Sequence, residues 1–275
     1  MTETFTELLD SEGAPNAEAL LEQTAGMVDL YFGDQGAAQQ LLDLCGGGEI
    51  LYWFFDPSNP VPCLAYLHQG NHYYAWIAGT VNINQWIGNV QGFLSPQPFQ
   101  QAVLVHSYFW SLAQKLWVAG QSKLPAPAPG IRFTLTGHSL GGAIAQILAL
   151  QLAEIYGADN VELLTLGQPK AFTSGLEGPT LWPNYVRLRV PDDPVPMVPP
   201  DRGLAWTLSL GLPSAAVSVV FEWTHYGNPW ILRDTGDIDP DPGLPFWQRL
   251  PGAWLTTTNP SNHLIKNIFA RLELA

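Results

Sequence analysis

The chain has 275 residues, a formal net charge of −13, and charged side chains at only 13%, against roughly 25% in an average soluble domain. Its 11 lysines and arginines are scattered singly, which excludes a basic nucleic-acid face and a polybasic segment for anionic lipid. Hydrophobic residues at 47%, with 11 Trp, 12 Phe and 9 Tyr, suffice for one large core, and so few charges on so aromatic a chain imply either apolar surface kept for a substrate or an interface, or a larger, drier core.

Residues 1–45 read as helical, with Leu20, Leu21, Ala25, Met27, Val28 and Leu30 on one broad apolar face and a second face from Ala37 to Leu44. The acidic start, Met1 to Asp10, has no basic segment leading into an apolar run. This reads against a Sec signal peptide and leaves the cytoplasm or leaderless export as the expected compartment. Gly46-Gly47-Gly48 ends the block. Ile50 to Phe55, Cys63 to His68 and His72 to Ala78 are strand candidates, separated by a Pro/Ser/Asn cluster and the turn Gln69-Gly70-Asn71. Gly79-Thr80 closes the third. An Asn-rich segment to Phe93 follows, with Ile83, Trp86 and Ile87 apolar. Gln100 to Trp117 is apolar nearly all round and predicts a buried helix; Gln121 to Gly130 predicts a surface loop.

Next, Ile131, Phe133 and Leu135 alternate with Arg132, Thr134 and Thr136, a strand pattern. Ala143, Ile144, Ile147, Leu148, Leu150 and Leu152 recur at helical spacing. Between them lies Gly137-His138-Ser139-Leu140-Gly141, a G-x-S-x-G whose flanks make it a nucleophile elbow. Strand must reverse into helix within a few residues, which presents Ser139 at a helix N-terminus, where partial positive charge favours a developing oxyanion. Val161 to Leu166, closed by Gly167-Gln168-Pro169, and Tyr185 to Val190, ending in Pro191-Asp192-Asp193-Pro194, are further strands. The alternation indicates an α/β fold of α/β-hydrolase type: a mostly parallel central sheet flanked by helices, with residues 1–48 as an N-terminal helical cap packed on a main domain of residues 49–275. Ser139, Gly167 and Asp193 all fall at predicted carboxyl ends of strands, where such sheets bind ligands.

A serine hydroxyl needs a base to take its proton, and a histidine with a supporting carboxylate is the usual one. In this fold type the order is nucleophile, acid, histidine. The acid then comes from Asp192 or Asp193, and the histidine is His225 or His263. One oxyanion donor is the backbone N–H of Leu140, directly after the nucleophile.

These residues resemble the class 3 lipases, the group that contains the filamentous-fungal triacylglycerol lipases. Leu135 to Ala143 matches the family elbow. Leu166-Gly-Gln-Pro-Lys170 resembles its Gly-x-Pro stretch, and Val190-Pro-Asp-Asp-Pro-Val-Pro196 its strand-end D-x-V-P. Gly79-Thr80 followed by Asn84-Gln-Trp86 resembles the oxyanion turn and lid, and Thr224-His-Tyr-Gly-Asn-Pro-Trp230 a structural His-x-Gly region. The resemblance covers roughly residues 50–270. It implies Asp193 as the acid, His263 as the base, Thr80 as the second oxyanion donor, and Ile83, Trp86 and Ile87 on a lid. The chain departs from the family pattern at Ala78, Asn89 and Tyr108, which bears on lid anchoring and substrate range. The activity implied is carboxylic-ester hydrolysis of apolar or lipid-like substrates through an acyl-enzyme on Ser139. A phospholipase or lysophospholipase with the same triad, or a catalytically silent lipid-binding protein, are the alternatives. No cofactor or metal is implied.

Leu204 to Phe221 is 18 residues without a charge, but Pro213 argues against a transmembrane helix. Its first part, Leu204 to Leu212, with Trp206, Leu208 and Leu210, is read as an apolar wall over the acyl groove. His106 reads as structural, and His138 as pointing away from the site. His68 and His72 lie on a hairpin, so their spacing does not suit a metal. The acidic cluster at Asp234, Asp237, Asp239 and Asp241 reads as a solvated turn, with a calcium site as the alternative. Cys45 and Cys63 read as buried free thiols.

Overall fold

The computed structural model describes residues 5–56, 63–79, 96–98, 103–173, 184–191, 193, 195–197, 223–226, 228–241 and 264–275. Helix α1 (Ala17–Phe32) starts where the Asn16 side chain accepts from the Glu18 N–H, and it stops at Gly33, whose φ of 69° only glycine adopts freely. Asp34 then caps helix α2 (Gln35–Leu44) by accepting from the Ala37 N–H at 2.9 Å. The helical pattern expected over 1–45 is therefore two helices with a sharp break. Residues 5–16 stand outside it, held in a turn by the bridge between Leu9 and Pro15.

Strands β1 (Glu49–Phe54), β2 (Leu64–Gln69) and β3 (His72–Ile77) form the antiparallel edge of an eight-stranded sheet. From β3 the sheet continues in parallel through β6 (Arg132–His138), β7 (Val161–Leu166), β9 (Tyr185–Arg189) and β11 (Asn228–Leu232). It ends with β12 (Ile238–Pro240), antiparallel to β11. A second sheet holds β4 (Pro96–Pro98), β5 (Leu104–His106), β8 (Phe172–Thr173) and β10 (Trp223–Thr224).

Helices cover both faces of the large sheet. Helices α3 (Ser107–Gly120) and α4 (Leu140–Tyr156) pack on one face, over Ala75, Ile77, Phe133 and Leu135. On the other, α1, α2 and α5 (Ile265–Leu272) pack over Tyr74, Trp76, Leu164 and Leu188. With helices on both faces, every residue of β7 is buried, Glu162 and Thr165 included. The N-terminal helices thus share a core with the sheet. Gly26 of α1 lies so close to the Trp76 ring that a methyl there would meet it at 2.2 Å.

The helix expected from Gln100 begins instead at Ser107. Leu104–His106 is a strand, with Val105 paired to Gln97 on one side and Phe172 on the other. Periodicity does not separate a short buried strand from the helix that follows it, because both are apolar on every side.

Candidate active site

Because β3, β6, β7 and β9 run parallel, their carboxyl ends meet along one edge. Ser139 follows β6 and has φ 58° and ψ −129°, the one positive φ of any non-glycine among the described residues. Such a conformation costs of order 1–3 kcal/mol and persists only where its surroundings hold it. Here the Ser139 N–H donates to the Leu166 carbonyl at 2.9 Å, and the Ser139 carbonyl accepts from the Gly142 N–H at 2.9 Å. The turn is tight enough to require glycine on both sides. A methyl on Gly137 would sit 2.4 Å from the Gly141 carbonyl oxygen. Leu140 opens α4, so its N–H has no carbonyl one turn back within the helix to bond.

The end of β3 comes directly against the elbow. A methyl on Gly79 would lie 2.7 Å from the Ser139 Cβ and 2.7 Å from the His138 carbonyl. The Gly79 N–H donates to the Tyr31 hydroxyl at 2.6 Å, and that hydroxyl lies 2.6 Å from His138 Nδ1. His138 therefore faces helix α1. Behind the elbow, buried side chains lock the turn after β7: Gln168 Nε2 donates to Gln146 Oε1 at 2.5 Å, and the Tyr185 hydroxyl donates to Gln168 Oε1 at 2.5 Å. Nothing in the local pattern marks either network, since their members lie far apart in the chain.

Past β9, Asp193 is 2% exposed, and its Oδ1 accepts from the Val195 N–H at 2.9 Å, which turns the chain into the 3-10 segment Val195–Met197. His225 packs beneath this loop. Its Nε2 lies 2.6 Å from the Pro196 carbonyl oxygen, and a carbonyl only accepts, so Nε2 carries the proton. Burial, with the cations of Arg187 and Lys170 nearby, holds the His225 pKa well below the usual histidine range. A histidine so placed stays neutral, with one nitrogen committed to structure.

His263, Thr80, Ile83, Trp86, Ile87, Trp206, Leu208, Leu210 and Asp192 lie outside the described residues. His106 is fully buried with its ring stacked 4.5 Å from Phe109. The acidic cluster divides among partners: Asp234 pairs with Arg271 at 2.5 Å, Asp239 with Arg233 at 2.7 Å, and Asp241 with Arg189, while Asp237 accepts from the Thr235 hydroxyl. Among the described residues, no three His, Cys, Asp or Glu gather as a metal site. Cys45 and Cys63 are buried thiols, not joined in a disulfide. No described helix is long and apolar enough to cross a membrane, and Leu204 to Phe221 lies outside the described residues.

The segment that carries the elbow, the Gly79 turn and Asp193 is also the segment that matches a known family. The family model is Lipase (class 3), over residues 74–203. Over those residues the chain is similar to the class 3 lipases. A secreted mono- and diacylglycerol lipase of Fusarium solani is 29% identical over 176 residues, 60% of this chain. That match spans less than half of the relative's own length, 45%. Among solved structures, the lipase of Rhizopus microsporus var. chinensis superposes with a TM-score of 0.64 at 17% identity, over 96% of this chain and 95% of that one. A triacylglycerol lipase whose catalytic centre is a serine protease triad superposes with a TM-score of 0.61 at 19% identity, over 91% and 94%. These likenesses establish an α/β-hydrolase fold over nearly the whole chain, consistent with the parallel sheet and its two helical layers.

Proposed function

We propose that the protein is a serine carboxylic-ester hydrolase acting on lipid-like esters. The observation that carries this reading is Ser139, held at φ 58° where β6 turns into α4, with the Gly79 backbone against its Cβ. A strained serine at a helix N-terminus, beside a second strand end, is the arrangement that acyl transfer requires.

In this reading the Ser139 hydroxyl adds to the ester carbonyl carbon while its proton passes to His263. Asp193 orients that histidine and stabilises it once charged. The carbonyl oxygen becomes an oxyanion, held by the N–H groups of Leu140 and Thr80. Collapse expels the alcohol, which takes the proton from His263 and leaves the acyl group on Ser139. Water, deprotonated by His263, then attacks the acyl carbon, and the acid leaves with Ser139 restored. What favours His263 over His225 is that the Nε2 proton of His225 is already given to Pro196. Partial glycerides are the first substrates to try, because the Fusarium solani relative is a mono- and diacylglycerol lipase.

A fluorophosphonate probe tests the reading. It is expected to label the wild-type protein and not Ser139→Ala, and wild type is expected to release acid from p-nitrophenyl and glycerol esters. A folded wild-type protein that neither takes the probe nor turns over these esters would exclude the reading.

A further inference from the structure

We infer that Tyr31, on the N-terminal helix, is a positioning residue for catalysis: its hydroxyl clamps the Gly79 turn to the nucleophile elbow and so sets the oxyanion hole. The inference rests on the reading of Gly79-Thr80 as the oxyanion turn.

The geometry is a three-part chain. The Gly79 amide donates to Tyr31 Oη at 2.6 Å. An amide only donates, so Oη accepts there and keeps its hydrogen and a second lone pair for another partner. That partner is His138 Nδ1, 2.6 Å away, with the two rings edge to face at 71°. One buried hydroxyl thus joins the last residue of β6 to the first residue of the turn after β3. These are the two segments that must supply the N–H groups of Leu140 and Thr80. Thr80 is one residue beyond the clamped Gly79, and Leu140 two beyond the clamped His138. A peptide bond is planar, so fixing the Gly79 N–H restricts the peptide that follows only through the two dihedrals of Gly79. The would-be Cβ of Gly79 is hemmed in by the His138 carbonyl, the Ser139 Cβ and Tyr31 Oη, at 2.7, 2.7 and 2.9 Å, which limits those dihedrals as well.

The clamp stands on a rigid support. Gln23, two turns earlier on α1, accepts from Trp76 Nε1 of β3 at 2.9 Å and from the Thr136 hydroxyl of β6 at 3.1 Å, so the same helix grips both strands twice. Tyr31 lies 107 residues from His138 and outside the segment that matches the family model. On this account a helix outside that segment completes the reaction centre. Oxyanion stabilisation depends on donors fixed before charge develops, so loosening one of them slows the chemical step and leaves ground-state binding alone.

The test is Tyr31→Phe in the full chain, which keeps the ring and removes the hydroxyl, assayed well below its melting temperature. It is expected to lower kcat by roughly 10- to 100-fold with KM within about two-fold of wild type. The specific readout is the preference for an oxo-ester over its thiono-ester analogue, whose sulfur fits the hole poorly. That ratio is expected to fall with kcat in Tyr31→Phe, and in His138→Leu, which removes the other anchor. A kcat within about two-fold of wild type in a folded Tyr31→Phe overturns the inference, as does an equal fall on both esters. A wild-type protein that is inactive and takes no probe at Ser139 overturns the underlying reading as well; an active, labelled wild type with an unimpaired Tyr31→Phe overturns this inference alone.

Discussion

Gly141 packs its Cα against the Ile77 backbone so closely that a methyl there would lie 2.0 Å from the Ile77 carbonyl oxygen. Helix α4 therefore enters the site through a gap in which only a hydrogen fits. Its obstacle is backbone in the middle of the sheet, which cannot rotate away as a flexible side chain can.

Gly141→Ala is accordingly expected to destabilise by more than the roughly 1–3 kcal/mol of ordinary overpacking, and to abolish probe labelling at Ser139 in whatever protein remains folded. Gly36→Ala is the control. Gly36 sits inside α2 with only the Asp34 carboxylate at 3.4 Å, so the change is expected to raise stability by up to ~1 kcal/mol. Thermal denaturation of the two variants side by side checks both signs.

The two candidate histidines separate by what each loses. His225→Phe leaves the Pro196 carbonyl without its donor in a buried loop, at a cost of about 1–3 kcal/mol. For a chain of this size that is roughly 2–4 °C in Tm per kcal/mol. Turnover is expected to stay within about ten-fold, because the loop still carries Asp193. His263→Ala is expected to show the reverse, with Tm little changed and kcat down roughly 10³-fold or more. If instead His225→Phe abolishes turnover and His263→Ala spares it, the base is His225.

Much of this site was legible because its parts are local. The elbow is written in consecutive residues, since a strand, a glycine-flanked serine and an apolar helix follow without a gap. Val161 to Leu166 and the strand before Asp193 are legible for the same reason. What escaped depends on contacts between distant positions. That the Nε2 proton of His225 is taken follows only from a carbonyl 29 residues upstream, and the role of Tyr31 only from a strand end 48 residues downstream. The strand Leu104–His106 escaped because its pairing partners, not its own pattern, make it a strand.

Access to Ser139 gives a further expectation. If Trp206, Leu208 and Leu210 line the acyl groove as read from sequence, each CH₂ they bury adds about 0.8 kcal/mol to the binding of longer chains. Changing all three to Ser is then expected to cut activity on long-chain esters far more than on acetates. A chain-length series of p-nitrophenyl esters reads this directly. An equal fall along the series, with the circular dichroism spectrum intact, would remove the stretch from the groove.

The last expectation concerns acid, and it comes from the opposite end of the sheet. His72 opens β3, and its Nε2–H donates to the Thr134 hydroxyl at 2.7 Å. Thr134 passes its own hydrogen to Glu162 Oε2 at 2.8 Å, and Arg132 holds the other oxygen of that carboxylate at 2.9 Å. The imidazole stacks 4.3 Å from the Tyr74 ring. Burial, reinforced by the Arg132 cation and only partly opposed by Glu7, lowers the His72 pKa to about 4. In the unfolded chain a histidine titrates near 6.5. Between those values the unfolded state binds the proton and the folded state does not, so stability rises with pH across that window. His72 therefore supports the fold fully above pH ~6.5 and loses that support as the pH falls toward 4, by roughly 2–3 kcal/mol at most. Burial raises the pKa of Glu162, which tilts the opposite way, so the whole-protein curve mixes the two. The histidine share is isolated by His72→Gln, whose amide can still donate to Thr134. The stability of wild type minus that of His72→Gln, from urea denaturation, is expected to be constant above pH ~7 and to decline steadily from 6.5 to 4. Parallel curves for the two proteins over that range would mean that His72 takes up its proton in the folded state as readily as in the unfolded one.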